Sequence, residues 1–225
     1  MAFSIAIDGP AAAGKTTTAK LLAKKLNFTY IDTGAMYRAL AVKVQNEGVE
    51  DVPGMLESTK LEVRRREDGE QCIFVDGVDV TDRLRTPDIS MLASNISKLP
   101  EVRGYLLELQ RDLAKNGNVI MEGRDIGTVV LPDADVKIYL TAKLKKRAFR
   151  SLYAFVANHE FIKTLAWYEE ELKKRDAQDI NREVAPLKQA EDAILIDNSY
   201  MTIEETIARV LGIVEGRIFE QKTKE

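Results

Sequence analysis

Five short apolar runs punctuate the chain, at residues 3–7, 28–31, 118–121, 135–140 and 193–197. Each is the length of a strand buried on both faces. Stretches of helical spacing separate them. Residues 17–26 place Ala19, Leu21, Leu22 and Leu26 on one side, with Lys20, Lys24 and Lys25 between them. Asp32 or Thr33 can cap the next helix, and Thr86-Pro87 opens a mostly helical stretch. A helix beginning near Pro100 carries Val102, Leu106, Leu107, Leu109 and Leu113 on its apolar side. A long helical region runs from Lys143 to about Lys174 and ends in the charged run 175–182. The last helix opens on Thr202-Ile203-Glu204-Glu205, a capping box, and residues 221–225 read as a frayed polar tail. Strands alternating with helices predict an α/β fold, a five-stranded, mostly parallel sheet covered by helices on both faces. Residues 61–65, 71–75 and 78–80 break that rhythm. Joined by Asp68-Gly69 and Asp76-Gly77, they predict a three-stranded antiparallel meander inserted into the main fold. Arg64-Arg65-Arg66, beside its first turn, reads as a solvated strand end.

The first strand leads into Gly9-Pro10-Ala11-Ala12-Ala13-Gly14-Lys15-Thr16, which fits G-x-x-x-x-G-K-[ST]. A strand, a glycine loop and a helix start place several backbone N–H groups and a helix N-terminus around one anion. The reading is an ATP or GTP phosphate loop, with Lys15 at the β- and γ-phosphates and the Thr16 hydroxyl on Mg²⁺. Ligands of such sheets bind beyond the carboxyl ends of the strands. There the sequence also places Asp32-Thr33-Gly34 and Glu122-Gly123-Arg124-Asp125. Glu122, an acidic residue at a strand tip, can order the water shell of Mg²⁺. Arg38 lies one turn into its helix, either pairing with an anion or simply exposed. Arg103 stands in a first helical turn, where the helix dipole gives a cation nothing, so a partner of its own is expected.

Composition narrows the field of function. The 225 residues carry 33 basic and 36 acidic side chains, net −3, so no overall field draws nucleic acid. Lys143, Lys145, Lys146, Arg147 and Arg150 form a local cluster suited to a polyphosphate. Cys72 is the one cysteine, which excludes an intrachain disulfide and suits a reducing compartment. The N-terminus shows no charged leader or cleavage-like site, and no apolar run reaches membrane-spanning length. A cytoplasmic protein, with no membrane and no nucleic-acid partner, is expected. His159, the only histidine, reads as a helix end or turn and takes no role; without it no Ser-His-Asp triad or multi-histidine metal site can form.

Four blocks together resemble the bacterial cytidylate (CMP) kinase family over nearly the whole chain: IDGPAAAGKTT at 7–17, DTGAMYRA at 32–39, EGRDIGTVVLPDAD at 122–135 and RDAQDINREVAPL at 175–187. The antiparallel insertion fits the same family. The resemblance implies a P-loop nucleoside monophosphate kinase, a transferase of pyrimidine nucleotide metabolism. It implies a core at about 1–32, 104–142 and 186–225, a CMP-binding region with the β insertion at about 33–103, and a helical lid at about 143–185. ATP would occupy Gly9, Pro10, Ala11, Ala12, Ala13, Gly14, Lys15, Thr16 and Thr17. Ser94, Arg103 and Asp125 would read cytosine; Thr33, Arg38, Arg124 and Arg182 would hold the acceptor phosphate; Arg175 and Asp179 would meet the pentose hydroxyls. Lys15, Arg124, Arg147, Arg150 and Arg182 would serve catalysis, Mg²⁺ resting on Thr16 and, through water, on Glu122. The expected reaction is ATP + CMP giving ADP + CDP, with dCMP a second acceptor, in a monomer.

Three features depart from the family, one being Thr16 where serine is frequent, which keeps the hydroxyl. Ala12 replaces a frequent glycine, and Ser151 stands where a further basic residue is common, ahead of an unusually apolar stretch at 152–156. Each arginine assignment competes with an ordinary surface ion pair, most seriously in 175–182, where Arg and Asp recur at helical spacing. Two other functions stay open: a P-loop kinase for a different small acceptor such as UMP or AMP, and a nucleotide-binding regulatory module without transfer chemistry.

Overall fold

The computed structural model describes residues 2–66, 69–115, 117–156 and 163–223. His159 and Asp68 lie outside the described residues. The chain divides into two compact units, Met1–Thr29 with Gly117–Glu225, and Tyr30–Asn116.

The first unit is built on the parallel sheet. Strands β1 (Ser4–Asp8), β6 (Val119–Glu122), β7 (Val136–Thr141) and β8 (Ile194–Asp197) belong to it, and with β2 (Thr29–Asp32), where the chain passes into the second unit, the strand order is β2-β6-β1-β7-β8. Strand β1 pairs in parallel with both β6 and β7, and β7 with β8. Ile5, Ile7, Ile120, Met121 and Ile138 are almost wholly buried, as an unbroken apolar run requires. Helix α1 (Lys15–Leu26) packs on β1 and β6, and α8 (Ile203–Lys222) on β7 and α1. Helices α6 (Leu144–Val156) and α7 (Leu165–Asn181) pack against each other. At the sheet's edge β8 leaves Ile194 and Leu195 exposed.

Within the second unit, α2 (Thr33–Glu47) packs on α4 (Pro87–Ile96), on α5 (Pro100–Lys115) and on a small antiparallel sheet. That sheet is β3 (Leu61–Arg65), β4 (Gln71–Val75) and β5 (Val78–Asp79), in order β3-β4-β5. The β4–β5 hairpin turns on Asp76 and Gly77, at φ 51° and 82°, the pair of positive values that a two-residue turn needs. The arginines beside the meander have structural partners. Arg64 bonds Glu62 and covers the Phe74 ring, and Arg65 donates to the Tyr30 carbonyl.

Several local expectations need correcting. Helix α3 (Val52–Ser58) was hidden by Pro53 and Gly54; Asp51 caps it and the proline sits in its first turn, where no N–H is missed. The third meander strand has two residues, and a 3-10 turn at Thr81–Arg83 follows. The long helical region after 143 holds two helices, α6 and α7, and Thr164 caps the second by accepting from the Trp167 N–H. The charged run is α7 itself as far as Asn181. The polar tail is helical to Lys222, tied down by Gln221 on Asp135. Thr202 and Glu205 form the expected capping box.

Gly9 closes the passage from β1 into the loop. Its φ is 145°, and a Cβ there would lie 1.9 Å from the Leu140 carbonyl oxygen, a backbone atom of β7. Gly9→Ala must therefore push two central strands apart. A loss of at least about 3 kcal/mol in urea unfolding, or failure to fold, is expected; a variant within about 1 kcal/mol of wild type would contradict this packing.

Candidate functional site

The loop between β1 and α1 is fixed from behind by side chains. Gly14, at φ 96°, precedes the helix and no side chain caps it, so the first N–H groups of α1 are presented from backbone alone. Lys15 is buried and donates to the Pro10 carbonyl at 2.8 Å. Burial pushes its ammonium down to about 7; Arg124 and Arg175 add to the effect, and Glu122 and Asp8 oppose it. Arg147 donates to the carbonyls of Ala11 (3.1 Å) and Ala142 (2.8 Å), and pairs with Asp176 at 2.7 Å. Arg150 donates to the Ala13 carbonyl and to both the side chain and the backbone of Asn198. Asn198 itself donates to Ala13 at 3.0 Å. Both arginines expected at a transferring phosphate are thus held on loop carbonyls.

Ala12 adopts φ 58°. It packs, with Leu144, Leu152 and Leu165, against a cluster of Ala11, Ala148, Tyr168 and Leu172. The apolar content after Ser151 thus has a local cause: Leu152 faces the loop, while Tyr153 is exposed against the Phe149 ring at 5.0 Å. Beside the loop lies a cleft of about 440 Å³, lined among others by Gly14, Thr16, Ser151, Asn198, Met201 and Thr202.

At the end of β6, the register sets Glu122 beside Ile7, and Glu122 is buried. Beyond it Arg124 pairs with Asp179 of α7 at 2.8 Å, and Asp125 receives Arg182 at 3.2 Å. Burial alone would raise Asp179, but Arg124, Arg175 and Arg182 together hold it below the usual carboxylate range. Burial likewise works against the Arg124 charge, which Asp179, Glu122 and Asp176 more than restore. Arg175 lies one turn before Asp179 on the same helix. Residues Ile126–Val130 then form one π-helical turn.

The second unit carries the remaining expected residues. Asp32 caps α2, accepting from the Ala35 N–H and from Arg38 at 2.8 Å. The Arg38 guanidinium is thereby drawn over the helix start beside Thr33, and its buried Nε has no hydrogen-bond partner among the described residues. Arg103 is buried; it donates to the Ser97 carbonyl and stands 5.6 Å from the Tyr37 ring centre. Ser97 in turn bonds the Ser94 carbonyl. Arg103 thus has the partner its unfavourable helix position called for.

A family model described as cytidylate kinase matches residues 5–216. This chain belongs to that family. It is 49% identical to the cytidylate kinase of Caldicellulosiruptor saccharolyticus, over 93% of this chain and 94% of that one. Identity is 48% to the cytidylate kinase of a Geobacillus species, with coverage of 95% and 97%. It is 43% to that of Thermotoga neapolitana, with coverage of 97% and 99%. A crystal structure of an uncharacterized protein from Eubacterium ventriosum shares the fold, at TM-score 0.54 and 11% identity over 95% of this chain and 98% of that one.

Three residues that support the loop and the segment after β6 carry little mark of it in the sequence: Asp8, Asp176 and Asn198. Asp8 ends β1 and is buried, accepting from the N–H groups of Ile126 (2.8 Å) and Gly127 (2.7 Å). Burial raises it to about 6, against the pull of those two N–H groups. Only its place in IDGP, one residue before the loop, hinted at a role. Among the described residues no helix is long and apolar enough to cross a membrane, and no cluster of three metal-ligating side chains occurs.

Because its folded pKa is depressed, Asp179 stabilises the fold above the unfolded carboxylate value near 3.8, and that stability is lost as pH falls through the lower folded value. Asp179→Asn should therefore lower stability at neutral pH and flatten the acid limb below pH about 4. Urea titrations at pH 3, 4, 5 and 7 check this. Parallel curves for the two proteins would show that the pair contributes nothing.

Proposed function

We propose that this protein transfers the γ-phosphoryl group of Mg·ATP to CMP, and to dCMP, giving ADP and CDP or dCDP. The observation that carries the reading is identity of 43–49% over nearly the full chain to proteins named cytidylate kinase, with the phosphate loop intact at Gly9, Gly14, Lys15 and Thr16. A different monophosphate acceptor and a non-catalytic module are not favoured by those likenesses.

ATP would lie along residues 9–17, its nucleoside in the cleft bordered by Ser151, Asn198 and Met201. Lys15 would face the β- and γ-phosphates from its buried seat. From the first unit we assign Asp125 to cytosine, Arg124 and Arg182 to the acceptor phosphate, and Arg175 and Asp179 to the pentose. From the second unit we assign Ser94 and Arg103 to cytosine and Thr33 and Arg38 to the acceptor phosphate. The unsatisfied Nε of Arg38 suits an anion. We further assign about 33–103 as the acceptor-binding region and about 143–185 as a lid carrying Arg147 and Arg150, on a core of about 1–32, 104–142 and 186–225.

The nucleophile is a phosphate oxygen already ionised near neutral pH, so no general base is required. Positioning and charge neutralisation supply the catalysis. One hydroxyl, Thr16, and one carboxylate, Glu122, form a hard oxygen set that fits Mg²⁺ held chiefly by phosphates and water. When bound, Mg²⁺ would neutralise charge on the β- and γ-phosphates. Lys15 and Arg124 would share that task from fixed positions, and closure of the α6–α7 pair would exclude water and suppress ATP hydrolysis.

A coupled ADP-release assay with Mg·ATP against CMP, dCMP, UMP, AMP and GMP tests the reading. Turnover with CMP and dCMP and little with purines is expected; turnover with AMP or UMP alone would refute the acceptor. Lys15→Ala should lower kcat by about 10²-fold or more. Asp125→Asn should chiefly raise the CMP KM and relax base choice. Equal kcat losses in both, with unchanged acceptor KM, would contradict these roles.

A further inference from the structure

The backbone bonds around β1 bracket two residues. The ladder between β1 and β6 ends where the Gly123 N–H donates to the Ile7 carbonyl at 3.1 Å. Three residues later the Ile126 and Gly127 N–H groups donate to the two carboxylate oxygens of Asp8, at 2.8 and 2.7 Å. Arg124 and Asp125 form the bridge between these clamps, and both clamps belong to the last two residues of one strand. Gly127 lets the turn come close: a Cβ there would lie 3.1 Å from Lys137 Cδ and 3.4 Å from the carboxylate of Asp8.

We propose that Asp8 is a positioning residue that holds the Arg124–Asp125 bridge in place for the acceptor nucleotide, in register with the phosphate loop that begins at Gly9. This rests on the assignment of Arg124 and Asp125 to that nucleotide. The chemistry explains the residue type. A π-helical turn is held by few bonds of its own and tends to occur at functional sites, and its first N–H groups need outside acceptors. Two N–H groups ask for two acceptor oxygens on one short side chain, which a carboxylate has and an amide or hydroxyl lacks. The position bears a cost that a mere filler would not: Asp8 is buried, and of the charges acting on it Asp125 repels and Lys15 attracts it. Tyr139, its partner in the β7 register, feels its charge as well.

Asp8→Asn keeps the shape and one acceptor while turning an NH₂ toward the second N–H. Its CMP KM should rise about tenfold, with the ATP KM changed by less than about threefold, because the side chain bonds 126–127 directly and reaches the loop only through its attraction for Lys15. Hydrogen exchange should show faster exchange of the Ile126 and Gly127 amides. Asp8→Ser, which can serve one N–H, should shift KM in the same direction. Equal rises in both KM values, no change in either, unaltered amide exchange, or failure of both variants to fold would each overturn the proposal. If the wild-type chain turns over a different acceptor and not CMP, the acceptor assignment fails, and the same split between donor and acceptor KM then judges Asp8 with that acceptor.

Discussion

A loop that gathers N–H groups around an anion must turn carbonyls the other way, and buried carbonyls need donors. The rest of the first unit is arranged around that requirement. Pro10 is served by Lys15, Ala11 by Arg147, and Ala13 by Arg150 and Asn198. These donors come from the loop's own helix, from α6 and from the segment after β8. Elements distant in sequence are therefore organised by the back of one short loop. The methyl groups of Ala11 and Ala12 extend the same arrangement into apolar packing against α6 and α7. Ala12 holds a left-handed conformation that costs a non-glycine residue about 1 kcal/mol, and this contact offsets part of that cost.

The charges in front of the loop follow a second rule. Buried ions persist where each has a partner, and here the partners alternate along two elements. Arg124 and Asp125 leave β6 side by side with opposite sign; Asp179 on α7 and Arg182, the residue just past its end, answer them in reverse. Asp176, a turn earlier, holds Arg147. The last turns of one helix and the residue after it thus fix a strand tip and an arginine that supports the loop.

The features legible in sequence were those written in local pattern: the apolar runs, the glycine loop, the Asp32 and Thr202 caps, and the Asp-Gly hairpin at 76–77. The features that were not legible depend on contacts across the chain. Nothing in Ile126–Val130 announces a π-helical turn, since Asp8, 118 residues earlier, supplies its acceptors. The run 175–182 looked like a surface string of charges because its partners, Arg124, Asp125 and Arg147, come from other elements. Arg147 and Arg150 were recognisable as a basic cluster, but their hold on loop carbonyls was not, because a carbonyl leaves no mark in sequence. Helix α3 was obscured by Pro53 and Gly54, residues that stop helices in most positions but are tolerated in a first turn.

The open edge of the main sheet bears on the protein's behaviour in concentrated solution. Strand β8 shows Ile194 and Leu195 to solvent, and an exposed apolar edge is a template on which other chains can add strands. Here the strand is only four residues long and ends in Asp197, with Asp192 two residues before its start. A sixth strand arriving in register would lay its backbone against these two carboxylates and compete with the partners that serve them, Lys137 for Asp192 and Ser199 for Asp197. The edge therefore carries its own obstacle to strand addition. Neutralising Asp192 and Asp197 would remove that obstacle, but Asp197 also accepts from Ser199, next to the Asn198 that holds the loop, so edge and loop are joined through one short segment.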